Sequence, residues 1–126
     1  MLIVALAAIL QLGSCQAASP DRTRTAAEAA DIFFKGIEER DETALWWVVR
    51  PGAAFVIDGQ AHTDTAFYAS LAGDKSVQKN LVITALTSTQ TTVTATTVYR
   101  GGADTPTLTT LTFANGCITD VTVDHR

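Results

Sequence analysis

The sequence predicts one α+β domain, a mostly antiparallel sheet with three N-terminal helices gathered on one face. Three observations carry that prediction. Between Thr25 and Gly73, apolar residues recur at helical spacing behind recognisable caps. From Lys79 to His125 the period changes to two, and Thr, Val and Ile dominate. Asp58-Gly59 and Asn115-Gly116 punctuate the apolar runs as tight turns. A length of 126 residues with 47% hydrophobic and 17% charged side chains fits a single folded domain and argues against disorder.

The first segment is an address rather than a structural element. Met1 to Leu10 carry no polar side chain, yet the stretch has about half the length that a hydrocarbon core of roughly 30 Å requires. It reads as the hydrophobic region of a signal peptide, although the first Lys or Arg is Arg22. Leu12-Gly13-Ser14-Cys15 follows and resembles the bacterial lipobox, in which Leu and two small residues precede a Cys that is diacylated on its thiol and becomes the mature N-terminus. The organisation expected is a lipoprotein-type signal peptide over 1–14, a polar tether over 15–24 and a domain over 25–126. Such a protein is exported to a bacterial cell envelope or periplasm and touches the membrane only through its lipidated Cys15. Cleavage near Ala17-Ala18, which discards Cys15, and an ordinary buried N-terminal helix are the alternatives. Either processed form leaves Cys117 as the one internal Cys, so no disulfide is expected within the domain.

Thr25-Ala26-Ala27-Glu28 has the form of a capping box, in which the hydroxyl satisfies the N3 amide and the carboxylate reaches back to the N-cap amide. The helix it starts places Ala30, Phe33, Phe34 and Ile37 on one stripe and runs to about Arg40. Asp41 can cap a second, strongly apolar helix over Glu42–Val48, which Pro51-Gly52 cannot continue. Ala54, Phe55, Val56 and Ile57 read as a buried strand ending at Asp58-Gly59. Thr63 or Asp64 can cap a third helix that Gly73 ends.

Four strands are expected near 79–89, 91–100, 106–114 and 117–125, the last two joined by Asn115-Gly116. Their Thr residues fit outward positions, and an open sheet face carrying Val93, Val98 and Leu108 could serve a homodimer. Asp120 and Asp124 share the solvated face of the last strand, opposite Thr119, Val121 and Val123.

Composition removes several function classes. Nine Lys+Arg against 13 Asp+Glu give a net charge of −4, and no basic run tracks phosphates, so nucleic acid is not an expected partner. His62 and His125 stand far apart, outside any His-x-x-x-His or Cys-x-x-Cys spacing, so no metal is expected. Gly101-Gly102 lacks the strand-to-helix context of a phosphate loop, and no cofactor is expected.

From Ala26 to Arg126 the chain resembles the nuclear transport factor 2-like superfamily, including its SnoaL-like members. The residues that carry the resemblance are Gly36-Ile37-Glu38-Glu39-Arg40-Asp41, Ala44-Leu45-Trp46-Trp47, Ala54-Phe55-Val56-Ile57-Asp58-Gly59 and Phe113-Ala114-Asn115-Gly116. The resemblance implies a curved, mostly antiparallel sheet wrapped by three N-terminal helices into a cone around an apolar cavity. In the ketosteroid-isomerase branch, a carboxylate at the end of the early strand moves a proton, and Asp58 stands in a similar place. Within an apolar cavity such a carboxyl would have a raised pKa. Asp58 equally reads as the turn residue of Asp58-Gly59. The oxyanion-donating Tyr of that branch is replaced here by Phe33, and its second acidic donor falls near Thr109, which removes most of the support for an isomerase. His62, paired with Asp58 or Asp64, is the other acid/base candidate.

Aromatic residues fill out the expected ligand site: Phe33, Trp46, Trp47, Phe55, Phe67, Tyr99 and Phe113. Trp46 and Trp47 project about 100° apart on one helix, so burying both needs enclosure on two sides, a cavity or a partner. The reading is an exported domain that binds a small apolar molecule or a partner protein without catalysis. A SnoaL-like isomerase, cyclase or dehydratase using Asp58 or His62 is its rival.

Overall fold

The computed structural model describes residues 15, 24–73, 81–99 and 106–125. Among these, three helices and six strands follow one another as α1 (Ala26–Glu39), α2 (Glu42–Val48), β1 (Val49–Ile57), β2 (Gln60–His62), α3 (Asp64–Gly73), β3 (Leu81–Ser88), β4 (Thr92–Tyr99), β5 (Thr107–Ala114) and β6 (Cys117–His125). The strands form one mixed sheet in the order β2-β1-β6-β5-β4-β3. It is antiparallel throughout except where β1 runs parallel to β6.

Local chemistry sets the boundaries. Thr25 and Glu28 make the reciprocal capping box expected of them, and Arg40 closes α1 in the left-handed region at φ 56°. Asp41 caps α2 through the Ala44 amide at 3.3 Å. Thr63, rather than Asp64, caps α3, accepting from the Ala66 amide at 3.1 Å. Asp64 is instead the first helical residue; it is buried, and its carboxylate accepts the Gly52 N–H at 2.7 Å, tying α3 to β1. Both turn dipeptides hold positive φ at both residues, Asp58 and Gly59 at 50° and 82°, Asn115 and Gly116 at 52° and 82°. That is the geometry a two-residue hairpin requires.

Two elements depart from the sequence reading. β1 begins at Val49 and passes through Pro51-Gly52, with a register irregularity between Val49 and Ala54, so the pair that ends the helix also bulges the strand. Gln60–His62 forms a short edge strand in the stretch between the Asp58-Gly59 turn and the third helix, to which the sequence reading assigns no element. The sheet has six strands because of it.

The helices lie on one sheet face. α1 packs on α2 and reaches β3, β4 and β6, while α2 and α3 lie against β1. Cross-strand register sorts that face into rows. Phe55, Val121, Leu111 and Val93 stand side by side across β1, β6, β5 and β4, each at most 1% exposed. Together with Ala29, Ala30, Phe33, Leu45 and Val48 from the helices they form the core. Val93 therefore faces the helices, not the open face on which a homodimer was expected. β4 alternates, Val93, Ala95 and Thr97 inward and the residues between them outward.

The expectation of no internal disulfide is overturned: Cys15 is bonded to Cys117 across a sequence separation of 102. The sequence reading took Cys15 to be consumed or removed in processing. The folded chain instead keeps it, 3% exposed, with its N–H donating to the Trp46 carbonyl at 2.9 Å. Arg24 is buried beside it and donates to the Gly116 carbonyl at 3.1 Å and the Trp47 carbonyl at 3.3 Å. Both ends of the expected tether, Cys15 and Arg24, are thus seated on the domain.

Opening this cross-link releases a very long loop in the unfolded chain. Reduction, or Cys117→Ala, is expected to lower unfolding free energy by about 2–4 kcal/mol. Chemical denaturation with and without reductant checks it, and coincident curves would remove the disulfide from the folded state.

Candidate functional site

Beyond the solid row of the core, the next two rows of the same face are not filled. Ile57, Val123 and Thr109 make one, and His125, Thr107 and Thr97 the other. Above them sit Phe33, Phe34 and Ile37 of α1 and Phe67 and Leu71 of α3, with Leu81 of β3 to the side. These twelve residues bound a partly enclosed cavity of about 190 Å³. Engineered apolar cavities near 150 Å³ accept a benzene ring, so this space suits a ligand of about one ring. Its wall is aromatic and aliphatic, with three threonine hydroxyls and one imidazole as polar groups. Thr97 and Thr109 are both buried.

His125 is positioned by Asp58. Oδ1 of Asp58 accepts the main-chain N–H of His125 at 2.8 Å, and Oδ2 lies 2.8 Å from Nδ1 of its ring. Since a carboxylate can only accept, Nδ1 carries the shared proton and Nε2 is left available. The Asp58 N–H in turn donates to the Val123 carbonyl at 2.8 Å, so the β1–β2 turn is laced to the end of β6. The side chains of His125 and Asp58 are 55% and 51% exposed.

That environment reverses the expectation for Asp58. The sequence reading supposed a carboxyl in an apolar cavity with its pKa raised. Asp58 is outside the cavity wall, and the main-chain N–H of His125, with the ring second, holds its carboxyl below the ordinary value of 3.8. An ionised, half-exposed turn residue is a weak proton acceptor.

The other residues singled out in the sequence fall in several places. Phe33 and Phe67 line the cavity. Phe55 is fully buried behind it, stacked on Phe67 at 4.6 Å. Trp46 packs edge-on against Tyr68 at 4.9 Å and donates through Nε1 to Glu42 at 3.2 Å. Trp47 is 50% exposed under the Arg24 guanidinium, which lies 5.7 Å from its ring. Phe113 borders a separate surface groove with Arg24 and Thr25. The side chain of Tyr99 lies outside the described residues. His62 stands exposed on β2, opposite Phe55 in register. It is His125, not His62, that meets Asp58.

The sequence reading weighs His125 only as a metal ligand and not as the partner of Asp58, yet the signal was present. Val121 and Val123 were assigned to one face of the last strand, and one further step of two reaches His125. The same alternation assigns Thr97 and Thr107 inward once Val93 and Leu111 are known to be core.

Comparison with known proteins supports this architecture. The chain superposes on a protein from Kribbella flavida DSM 17836 at TM-score 0.69 and 18% identity, covering 81% of this chain and 87% of that one. It superposes on an NTF2-like protein of unknown function from Cytophaga hutchinsonii ATCC 33406 at 0.65 and 11%, covering 81% and 90%. A SnoaL-like polyketide cyclase from Agrobacterium tumefaciens str. c58 matches at 0.62 and 13%, covering 82% and 92%. The chain has the NTF2-like fold. At these identities the likeness concerns fold and leaves chemistry to the residues. A scan against protein-family models and a search of curated proteins found no match.

Asp58 should titrate below 3.8 when followed by carboxyl NMR. In His125→Ala the midpoint should rise but stay below 3.8, because the main-chain N–H remains. As the folded pKa is depressed, the stabilisation it brings is complete above the unfolded pKa and is lost as pH falls through the folded one. A midpoint at or above the ordinary value would refute the Asp58–His125 pairing.

Proposed function

We propose that this chain is an exported bacterial envelope domain that binds a small, largely apolar, ring-sized ligand without transforming it. The observation that carries the reading is the cavity of about 190 Å³ over the unfilled rows of the sheet, walled by Phe33, Phe34, Ile37, Ile57, Phe67, Leu71, Leu81 and Val123. Its threonine hydroxyls and the His125 ring offer hydrogen bonds that orient a ligand rather than a developed oxyanion site. Phe33 brings no donor, and Asp58 is held ionised outside the wall.

Export is supported by the apolar run Met1 to Leu10 and by a disulfide buried in the folded domain, since disulfides persist chiefly in oxidising compartments. Leu12-Gly13-Ser14-Cys15 supports a lipid anchor on those molecules whose Cys15 thiol remains free. Among the described residues, no helix is long and apolar enough to cross a membrane.

Binding is tested with indole and toluene as probes, by chemical-shift mapping on the soluble domain. Shifts should concentrate at Phe33, Thr109 and Val123, and Val123→Phe, which fills the space, should weaken binding by about tenfold or more at a modest cost in stability. Shifts spread over the surface, or binding unchanged in Val123→Phe, would remove the cavity as the site.

The Asp58–His125 pair favours one second reading, proton transfer at a ligand that reaches the rim. Deuterium exchange at the α-carbon of cyclohexenone separates the two. The binding reading expects exchange at the buffer rate. An acceleration lost in His125→Phe would establish the acid/base reading instead.

A further inference from the structure

We infer that Cys15 is a branch point at which each exported chain becomes either lipid-anchored or disulfide-closed, one fate excluding the other. The inference rests on the export proposed above and on where the sulfur sits. The thiol at the last position of Leu12-Gly13-Ser14-Cys15, the one that resembles a diacylation site, is the same atom that bonds Cys117. A sulfur has valence for one of these partners.

The chemistry of the two routes balances separately. In the first, the Cys15 thiolate displaces the headgroup phosphate of a diacylglycerol phospholipid. A thioether bond forms, a carbon–oxygen bond breaks, glycerol phosphate leaves, and the thiol proton passes to the medium. In the second, Cys15 and Cys117 reduce the disulfide of a thiol-exchange oxidant. Two electrons and two protons pass to it, and it leaves as a dithiol.

Geometry makes the choice mutually exclusive in space as well as in valence. In the disulfide form Cys15 is 3% exposed and Cys117 fully buried. The Cys15 N–H is spent on the Trp46 carbonyl at 2.9 Å. Nη1 of Arg24 lies 3.9 Å from Cys15 Sγ while holding the Gly116 and Trp47 carbonyls, so a guanidinium covers the sulfur. Two acyl chains on a glycerol cannot enter that space. A lipidated Cys15 must leave it, and Cys117 is then left as a free thiol at the start of β6.

The two forms differ in location. The lipidated chain is held at a bilayer through Cys15, while the disulfide form carries no lipid there and keeps Cys15 and Arg24 seated on the domain. The supply of oxidant relative to lipid transfer then sets how much of the protein is tethered.

The experiment expresses the full chain in a bacterium fed labelled palmitate, as wild type, Cys117→Ser and Cys15→Ser. Free thiols are alkylated under denaturing, non-reducing conditions before intact-mass measurement. Wild type should divide into unlipidated chains with no alkylatable thiol and lipidated chains with one, at Cys117. Cys117→Ser should raise the lipid label per chain by about twofold or more, and wild type in a host lacking the periplasmic thiol oxidant should do the same without any substitution. Cys15→Ser should take no label. Lipid addition is read on the chain whether or not it later folds, so instability of Cys117→Ser does not obscure the result. Equal label in wild type and Cys117→Ser, or none in either, overturns the branch point while a processed N-terminus leaves export standing. An unprocessed leader with both thiols free overturns export, and the branch point with it.

Discussion

The parallel alignment of β1 with β6 is the constraint on which the rest of the site depends. These strands lie more than fifty residues apart in the chain, and their pairing places Ile57 beside Val123 and Phe55 beside Val121. Without it the early strand would have no neighbour but β2, and the inner face would lose the edge against which α2 and α3 pack. The β1–β2 turn is carried to the end of β6 by the same register. Asp58 then meets His125 across a sequence separation of 67, and one imidazole is fixed at the mouth of the cavity. The buried Asp64 carboxylate secures the other side of β1 by accepting the Gly52 amide at 2.7 Å.

Much of the local structure was legible because it depends on short-range chemistry. The capping box at Thr25, the cap at Asp41, the Phe33-Phe34 stripe and both turn dipeptides follow from hydrogen bonds and φ preferences within four residues. The class of the fold and the helical cover followed from the change of period. Strand order did not, because alternation says which residues share a face but not which strand lies next. A meander is the simplest arrangement of late strands, and the sequence reading assigned β1 no partner within it. Its parallel insertion beside β6 brings Asp58 to His125, so the missed register and the missed site residue have one cause.

The cysteines show a different kind of illegibility. Read from the leader, Cys15 belongs to processing; read from the hairpin, Cys117 is a lone buried thiol. Each reading is sound locally. The bond between them depends on Cys15 lying beside Gly116, where Arg24 satisfies the Gly116 carbonyl and its guanidinium lies over Trp47. That docking also explains an aromatic residue that periodicity could not place. Trp47 is half-exposed and outside the cavity wall, with the Arg24 guanidinium 5.7 Å from its ring.

Asp58 illustrates why a carboxylate's place in the chain does not by itself fix its chemistry. A carboxylate becomes a more effective proton acceptor as burial raises its pKa toward the working range. Here the turn conformation at φ 50° directs the carboxylate to the main chain and ring of His125, and two hydrogen bonds to the ionised form outweigh the small desolvation of an exposed group. The carboxylate therefore acts on geometry. It seats the last strand against β1 and presents an imidazole whose Nε2 can accept a hydrogen bond at the rim. Inside, the oxygen atoms belong to Thr97, Thr107 and Thr109, neutral groups that select orientation at little electrostatic cost. Among the described residues, the polar groups of this cavity are rotatable, neutral hydroxyls with the Asp58–His125 pair at the rim, which supports the proposed binding because such hydroxyls are less preorganised toward a developing charge than fixed main-chain N–H groups.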